Sequence, residues 1–196
     1  MHSNDSGVAE QHAQKLAKEQ GKIYVSPYND PQIIAGQGTL AIELLDQLPR
    51  LDVVYVSIGG GGLISGIGCV LKAFSPRTRV VGVSAKNSAE LAASIRAGKM
   101  VKVDHFETLA DGCAGGVDND TITLGLGSEV IDDLIDCSEG QIEVGLQQIA
   151  WNEKMLVEGS AGLAYAAWQE DASNNKNKIS VCLLYTSPSP RDSIRS

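Results

Sequence analysis

The sequence predicts an α/β domain of three layers, a mainly parallel sheet with helices on both faces. Two observations carry that expectation. Between residues 53 and 97, apolar runs of strand length alternate with segments of helix length, and parallel strands need crossover connections that are usually helices. The 196 residues are 43% apolar and include 21 glycines, enough chain to bury a sizeable core.

Taken in order, Ala9 to Gln20 reads as an amphipathic helix ended by Gly21, and Ile23 to Val25 as a brief strand before the Pro27 to Pro31 turn. Ile33, Ile34, Leu40, Ile42, Leu44, Leu45 and Leu48 recur near helical spacing. Gly36 and Gly38 interrupt that helix, which points to close contact with a neighbouring element. Val53 to Ile58 is a buried strand, Gly59 to Gly62 a turn and Leu63 to Phe74 a helix; strand Arg79 to Val83 and helix Ala89 to Ala97 follow. A loop from Lys99 to Asp120 precedes a helix expected over Thr121 to Leu134, with Asn119 or Asp120 as its cap. Ile135 to Cys137 reads as a short strand. Ser138 and Gln141 have capping-box spacing, and Ile142, Leu146, Ile149, Ala150 and Met155 trace one helical face. A third turn, Glu158 to Gly162, opens a helix through Trp168, and Ile179 to Leu184 is a final buried strand.

Sixteen basic against 24 acidic residues leave a net charge of -8 spread along the chain, which argues against nucleic acid or an anionic membrane as partner. No apolar run reaches the roughly 18 to 20 residues of a membrane span, and the first 20 residues lack a signal-peptide core. Cys69, Cys113, Cys137 and Cys182 are far apart and suggest neither a zinc site nor a disulfide framework. A reducing cytoplasm is the expected location.

The chemistry is concentrated in Gly59 to Gly62. Four glycines between a strand and a helix let the backbone approach an anion with successive amides, and the following helix dipole adds attraction. The same turn could also serve only close contact between helix and strand. A Walker loop would end in Gly-Lys-Ser/Thr, but Leu63 and Ile64 follow here. The Rossmann fingerprint fails in both registers, which place Ile64 or Ser65 at its third glycine, and the next strand ends at Ser84 instead of an acidic ribose ligand.

Four ordered motifs then bring a family into view: Ile34-Ala35-Gly36-Gln37-Gly38-Thr39, Gly59-Gly60-Gly61-Gly62-Leu63, Leu109-Ala110-Asp111-Gly112 and Val157-Glu158-Gly159-Ser160-Ala161-Gly162. Over about residues 9 to 181 the chain resembles the serine/threonine dehydratases and serine racemases, fold-type II pyridoxal-phosphate enzymes. The resemblance implies pyridoxal 5'-phosphate as cofactor, its phosphate held by the amides of Gly59, Gly60, Gly61, Gly62 and Leu63. It implies Gly112 beside the cofactor ring and Glu158 at the ring's edge. Standing alone, Asp111-Gly112 reads equally as a turn and Glu158 as a helix N-terminal charge. Thr39 and Ser65 are within possible reach of the pocket, but helical hydroxyls usually bond locally; His12 and His105 are expected to be solvent-exposed.

The implied reaction is dehydration and deamination of threonine or serine to 2-oxobutanoate or pyruvate and ammonia, on a small amino-acid substrate, in a homo-oligomeric parent. Alternatives are a serine racemase, another hydroxyamino-acid dehydratase, a non-catalytic module for a phosphorylated ligand and, behind these, a dinucleotide-dependent dehydrogenase. Three departures bear on the implication. The family's Schiff-base lysine, in a Ser-Phe-Lys-x-Arg-Gly type motif, is absent, and Lys15, Lys18 and Lys22 read as solvated charges. The serine or cysteine expected to meet the pyridine nitrogen is replaced after the last strand by Tyr185 to Pro190. A divalent-cation ligand is missing at Ser84, although Glu90 keeps the second acid; one carboxylate is a poor metal site, and none is assigned. The expected organisation is a small-domain remnant at 1–28, an incomplete large cofactor-binding domain at 29–181 and a tail at 182–196 whose Cys182 to Asp192 resembles a translated library adapter, hence non-native, with an ordinary disordered tail as the alternative.

Overall fold

A computed structural model describes residues 6–184; the expectations about residues 185–196 lie outside the described residues. Four strands, β1 (Val53–Ser57), β2 (Arg79–Ala85), β3 (Asp133–Cys137) and β4 (Ser180–Cys182), form one sheet in the order β3-β2-β1-β4. Every pairing is parallel, with Val54 opposite both Val80 and Val181.

Among the described residues there are seven α-helices: α1 (Ser6–Glu19), α2 (Pro31–Gln47), α3 (Gly62–Phe74), α4 (Glu90–Ala97), α5 (Thr123–Val130), α6 (Glu139–Gln148) and α7 (Gly159–Glu170). Strand alternation divides the core. Val53, Tyr55, Val81 and Val83 face Ile142 of α6 and Leu163, Ala164 and Ala167 of α7. Val54, Val56 and Val80 face Ile64, Ile67 and Leu71 of α3, with Ala41 of α2 and Leu91 of α4. Both faces of β1 are therefore buried, which is why it reads as a continuous apolar run rather than an alternating one. The layers are those the sequence predicts.

Asp30 caps α2, its Oδ1 accepting from the amides of Gln32 (2.8 Å) and Ile33 (3.3 Å), and Pro31 at the first helical position needs no amide partner. The two helices α2 and α3 cross at glycines. A Cβ on Gly66 would lie 2.2 Å from the carbonyl oxygen of Ile34, and one on Gly38 would lie 3.1 Å from that of Gly66. Gly36, by contrast, has open space around it, so the expectation of close contact holds at Gly38 and fails at Gly36.

Other boundaries also differ. Ile23 to Val25 form no strand: Ile23 is 91% exposed, and no partner strand pairs with them. The helix expected through Leu134 stops at Val130, because Asp133 to Cys137 pair with β2 and the Asp132 carboxylate accepts from the Val80 amide at 2.7 Å. Its cap is neither Asn119 nor Asp120. Asn29, distant in sequence, accepts from the Ile122 amide at 3.0 Å. The Ser138–Gln141 capping box forms, but α6 ends at Gln148 in a π-turn over Ile149–Glu153, and Lys154 takes a left-handed φ of 58°, which leaves Met155 off the helix. Lys15 and Glu19 form an exposed pair at 3.9 Å on α1. No helix among the described residues is long and apolar enough to cross a membrane.

Candidate functional site

A cleft of about 440 Å³ opens where β1 ends and α3 begins. Gly59, Gly60, Gly61, Gly62, Leu63, Gly112 and Glu158 all line it, so the three motifs that contribute them meet in one place. Parallel α/β sheets place ligands at this end because successive strands all deliver their loops there.

Contacts from three directions shape the glycine loop. Gly61 has φ +86°, a conformation that disfavours any side chain, and a Cβ there would lie 2.3 Å from Leu91 Cδ2. The ring of Tyr28 lies where a Gly60 side chain would be, 2.3 to 2.6 Å from the added carbon. Thr123 Oγ1 donates to the Gly60 carbonyl at 2.7 Å and so satisfies that oxygen. Among the described residues the amides of Gly59, Gly60 and Gly61 donate no backbone hydrogen bond. Those of Gly62 and Leu63 belong to the first turn of α3, whose amides have no intrahelical acceptor. Five successive donors thus border one cleft.

The opposite wall is a 3-10 turn, Asp111–Cys113, set against the start of α7. Gly159 makes that approach possible: a Cβ there would lie 1.7 Å from the carbonyl oxygen of Leu109. Gly112 consequently faces α7, and a Cβ on it would lie 3.0 Å from Ser160 Oγ and 3.7 Å from Glu158 Oε2. Ser57, the last residue of β1, donates from Oγ to the Ser160 carbonyl at 2.7 Å, joining the two walls.

The electrostatics are one-sided. Glu10, Asp111 and Glu158 line the cleft, while no Lys, Arg or His does so among the described residues. Burial raises the Glu10 carboxyl above its ordinary value, and Asp118 raises it further. Burial also raises the Cys113 thiol; the nearby Ser160 hydroxyl opposes this and Glu158 and Asp111 add to it, so the thiol stays protonated at neutral pH. Ser160 is 7% exposed, and its Oγ makes no hydrogen bond of ordinary geometry among the described residues.

A phosphate fits this arrangement only through backbone donors, since the lining offers no cation. The open amides and the side-chain-free loop meet that requirement. A divalent cation does not fit at Ser84 and Glu90. Glu90 has both oxygens engaged by Lys102, His105 and the Val117 amide, and no group of three or more His, Cys, Asp or Glu among the described residues could hold a metal.

Thr39 bonds locally, its Oγ1 donating to the Gly36 carbonyl at 2.8 Å, and Ser65 is buried away from the lining. His105 is exposed as expected, but it is also paired: it lies between Ser88 Oγ (2.8 Å) and Glu90 Oε2 (2.9 Å). Tyr28, Ser57, Cys113 and Ser160 escaped the sequence reading. The Pro27–Pro31 turn marks Tyr28 as a turn residue only, and Ser57 and Ser160 acquire their place through contacts more than 100 positions apart.

Similarity to known proteins covers most of the chain. Residues 2–187 match the family described as "Pyridoxal-phosphate dependent enzyme". An L-threonine ammonia-lyase of Thermotoga maritima is 33% identical over 87% of this chain and 42% of its own length; a catabolic L-threonine dehydratase of Escherichia coli is 37% identical over 78% and 46%. The chain therefore spans less than half the length of these curated relatives. Among solved structures, the processed threonine deaminase isoform 2 of Solanum lycopersicum superposes with a TM-score of 0.83 at 27% identity, covering 94% of this chain and 54% of that one. Maize serine racemase superposes at 0.78 with 29% identity, covering 87% and 53%. With its ordered glycine motifs, its parallel sheet and a sequence match over nearly its whole length, this chain belongs to the family of pyridoxal-phosphate-dependent enzymes.

Proposed function

We propose that this chain is the phosphate-binding part of a pyridoxal-phosphate-dependent threonine/serine dehydratase, and that alone it does not turn over substrate. The observation that carries the proposal is the row of open amides from Gly59 to Leu63, in one cleft with Gly112 and Glu158 and without a basic side chain. The threonine ammonia-lyase and dehydratase relatives support the reaction class.

Bound pyridoxal phosphate supplies an electron sink for negative charge at the substrate α-carbon. The amides of the glycine loop would hold the phosphate by backbone donation, and Tyr28 and Leu91 keep that loop in shape. Gly112, lacking a side chain, leaves room for a flat ring beside the Asp111–Cys113 turn. Glu158, which lines the same cleft, would set the polarity beside the bound group. No lysine lines the cleft among the described residues, which supports inactivity, because proton abstraction at the α-carbon needs a base within hydrogen-bond reach. The domain division at 28 and 181 and an oligomeric parent belong to the same proposal.

Equilibrium dialysis against pyridoxal phosphate, pyridoxal and inorganic phosphate tests this. Saturable binding of pyridoxal phosphate, competition by inorganic phosphate, much weaker binding of pyridoxal and no ammonia release from threonine or serine are expected. Equal binding of pyridoxal and its phosphate would remove the role given to the loop; an imine absorption surviving dialysis would show that a lysine of this chain anchors the cofactor. A racemase parent is the second reading, favoured by the serine racemase neighbour. D-Serine formation by the complete parent enzyme separates the two.

A further inference from the structure

The loop carrying Gly112 leaves α4 at Gly98 and returns to α5 at Thr123, a long excursion with a single 3-10 turn of its own. Loops of that length stay ordered only when side chains fix them. Here Ser94 holds it at Val101, Asn87 at Phe106 and Glu107, Glu139 at Leu109 and Tyr28 at Asp118, and one buried carboxylate that the proposed chemistry does not use joins its two legs. Glu90, in the first turn of α4, has a side chain 2% exposed. Its Oε1 accepts from Lys102 Nζ at 2.8 Å and from the Val117 amide at 3.2 Å; its Oε2 lies 2.9 Å from His105 Nε2.

Lys102 and His105 are on the outgoing leg of the loop and Val117 on the returning one, so Glu90 grips both. Lys102 Nζ also donates to the Val117 carbonyl at 3.2 Å, closing a ring of contacts between the legs. Ser88, two residues before Glu90 and outside α4, repeats the pattern. Its Oγ accepts from the Gly115 amide at 3.1 Å and meets His105 Nδ1 at 2.8 Å. With Oγ accepting from Gly115, its proton is free for Nδ1, which leaves Nε2–H to donate to Glu90. Burial alone raises the Glu90 carboxyl, but the hydrogen bonds from Lys102, His105 and Val117 outweigh it and hold the group below the usual glutamate range.

We propose that Glu90 is a positioning residue, tied to Lys102, His105 and Val117, that holds the 110–117 wall against the glycine loop and so sets the shape of the cofactor cleft. Gly115 and Gly116, which line the cleft, sit immediately before the gripped Val117. A Cβ on Gly59 would lie 3.1 Å from the Cys113 Cα, so the wall and the glycine loop are in contact, and slack in one is slack in the other.

This rests on the reading of the cleft as the cofactor site, and two measurements on the 196-residue chain keep the parts separate. Hydrogen exchange without cofactor tests the grip: Glu90→Gln and Lys102→Met should each speed exchange across residues 110–117 by about tenfold, the effect of losing one charge-assisted hydrogen bond. Exchange in β1 and α3 should be unchanged, and Lys102→Arg should restore the slow rate. Lys102 is 60% exposed, so its variants remain folded even if Glu90→Gln does not. Unchanged exchange at 110–117 in Lys102→Met overturns the proposal, as does equal acceleration in Lys102→Arg. Pyridoxal phosphate dialysis with Lys102→Met should show weaker affinity than the unmodified chain, with no effect of magnesium on either. Equal affinity overturns the link to the cleft, whereas failure of the unmodified chain to bind overturns the cofactor reading and leaves the exchange result to decide the grip.

Discussion

Gly61→Ala is the sharpest test of how the glycine loop is held. The added methyl meets two separate penalties. At φ +86° an L-residue with a Cβ loses about 1 to 2 kcal/mol relative to glycine. The methyl also lies 2.3 Å from Leu91 Cδ2 and 3.1 Å from Thr123 Cβ, well inside ordinary contact. Leu91 is 1% exposed and has nowhere to swing, so relieving the overlap costs roughly another 1 to 3 kcal/mol, the usual range for an overpacked core. The sum, about 2 to 5 kcal/mol, is a large part of the stability of a domain. Urea unfolding followed by the fluorescence of Trp151 and Trp168 measures it, and a second variant separates the two parts. Leu91→Ala removes the obstructing carbon and on its own costs about 2 to 5 kcal/mol. In the double variant the overlap vanishes while the backbone penalty persists, so the double should be about 1 to 3 kcal/mol more stable than the sum of the singles. Additive effects would refute the account of Leu91 as the wall that shapes the loop. A Gly61→Ala effect below about 0.5 kcal/mol would refute both parts, since that is the scatter of ordinary surface substitutions.

Three other outcomes follow from the same contacts. Gly159→Ala, whose methyl would lie 1.7 Å from the Leu109 carbonyl oxygen, should force α7 and the Asp111–Cys113 turn apart, seen as faster hydrogen exchange at 109–113 and weaker pyridoxal phosphate retention in dialysis. Acid should destabilise the fold through Glu90 and Asp171. Burial raises both, but hydrogen bonds win, from Lys102, His105 and Val117 on Glu90 and from Tyr55, Asn174 and Arg79 on Asp171, so both folded values fall below the ordinary 4.5 and 3.8. Their contribution is complete above those ordinary values and disappears as the pH falls through the lower folded ones, so Asp171→Asn should flatten the acid limb of a stability–pH curve while lowering its plateau. Finally, Cys69 is exposed whereas burial pushes Cys137 and Cys182 up to about 12, so a thiol reagent at pH 8 should label Cys69 first, checked by peptide mass.

The sheet, the glycine loop and the order of the motifs were legible from the sequence because each has a local cause. A parallel strand buried on both faces needs an unbroken apolar run, a crossover needs a helix, and a backbone that must bend toward an anion needs glycine. By itself the sequence therefore determined the α/β class, the place of Gly59 to Leu63 at the end of β1, and the Ser138–Gln141 cap. Tertiary structure alone decided the rest. The stop of α5 at Val130 depends on β2 claiming Asp133 to Cys137, and the acceptor for the amide of Ile122, the N-cap residue of α5, is Asn29, nearly a hundred residues away. Gly36 and Gly38 look alike in sequence, yet only Gly38 meets a neighbour, because the crossing point of two helices is set by both. His105 is the exposed histidine its polar surroundings suggest, but its partners Ser88 and Glu90 meet it only in the fold. A residue's local propensity is written in its neighbours along the chain; whether it is buried, paired or set against a cleft is decided by residues that only folding brings near.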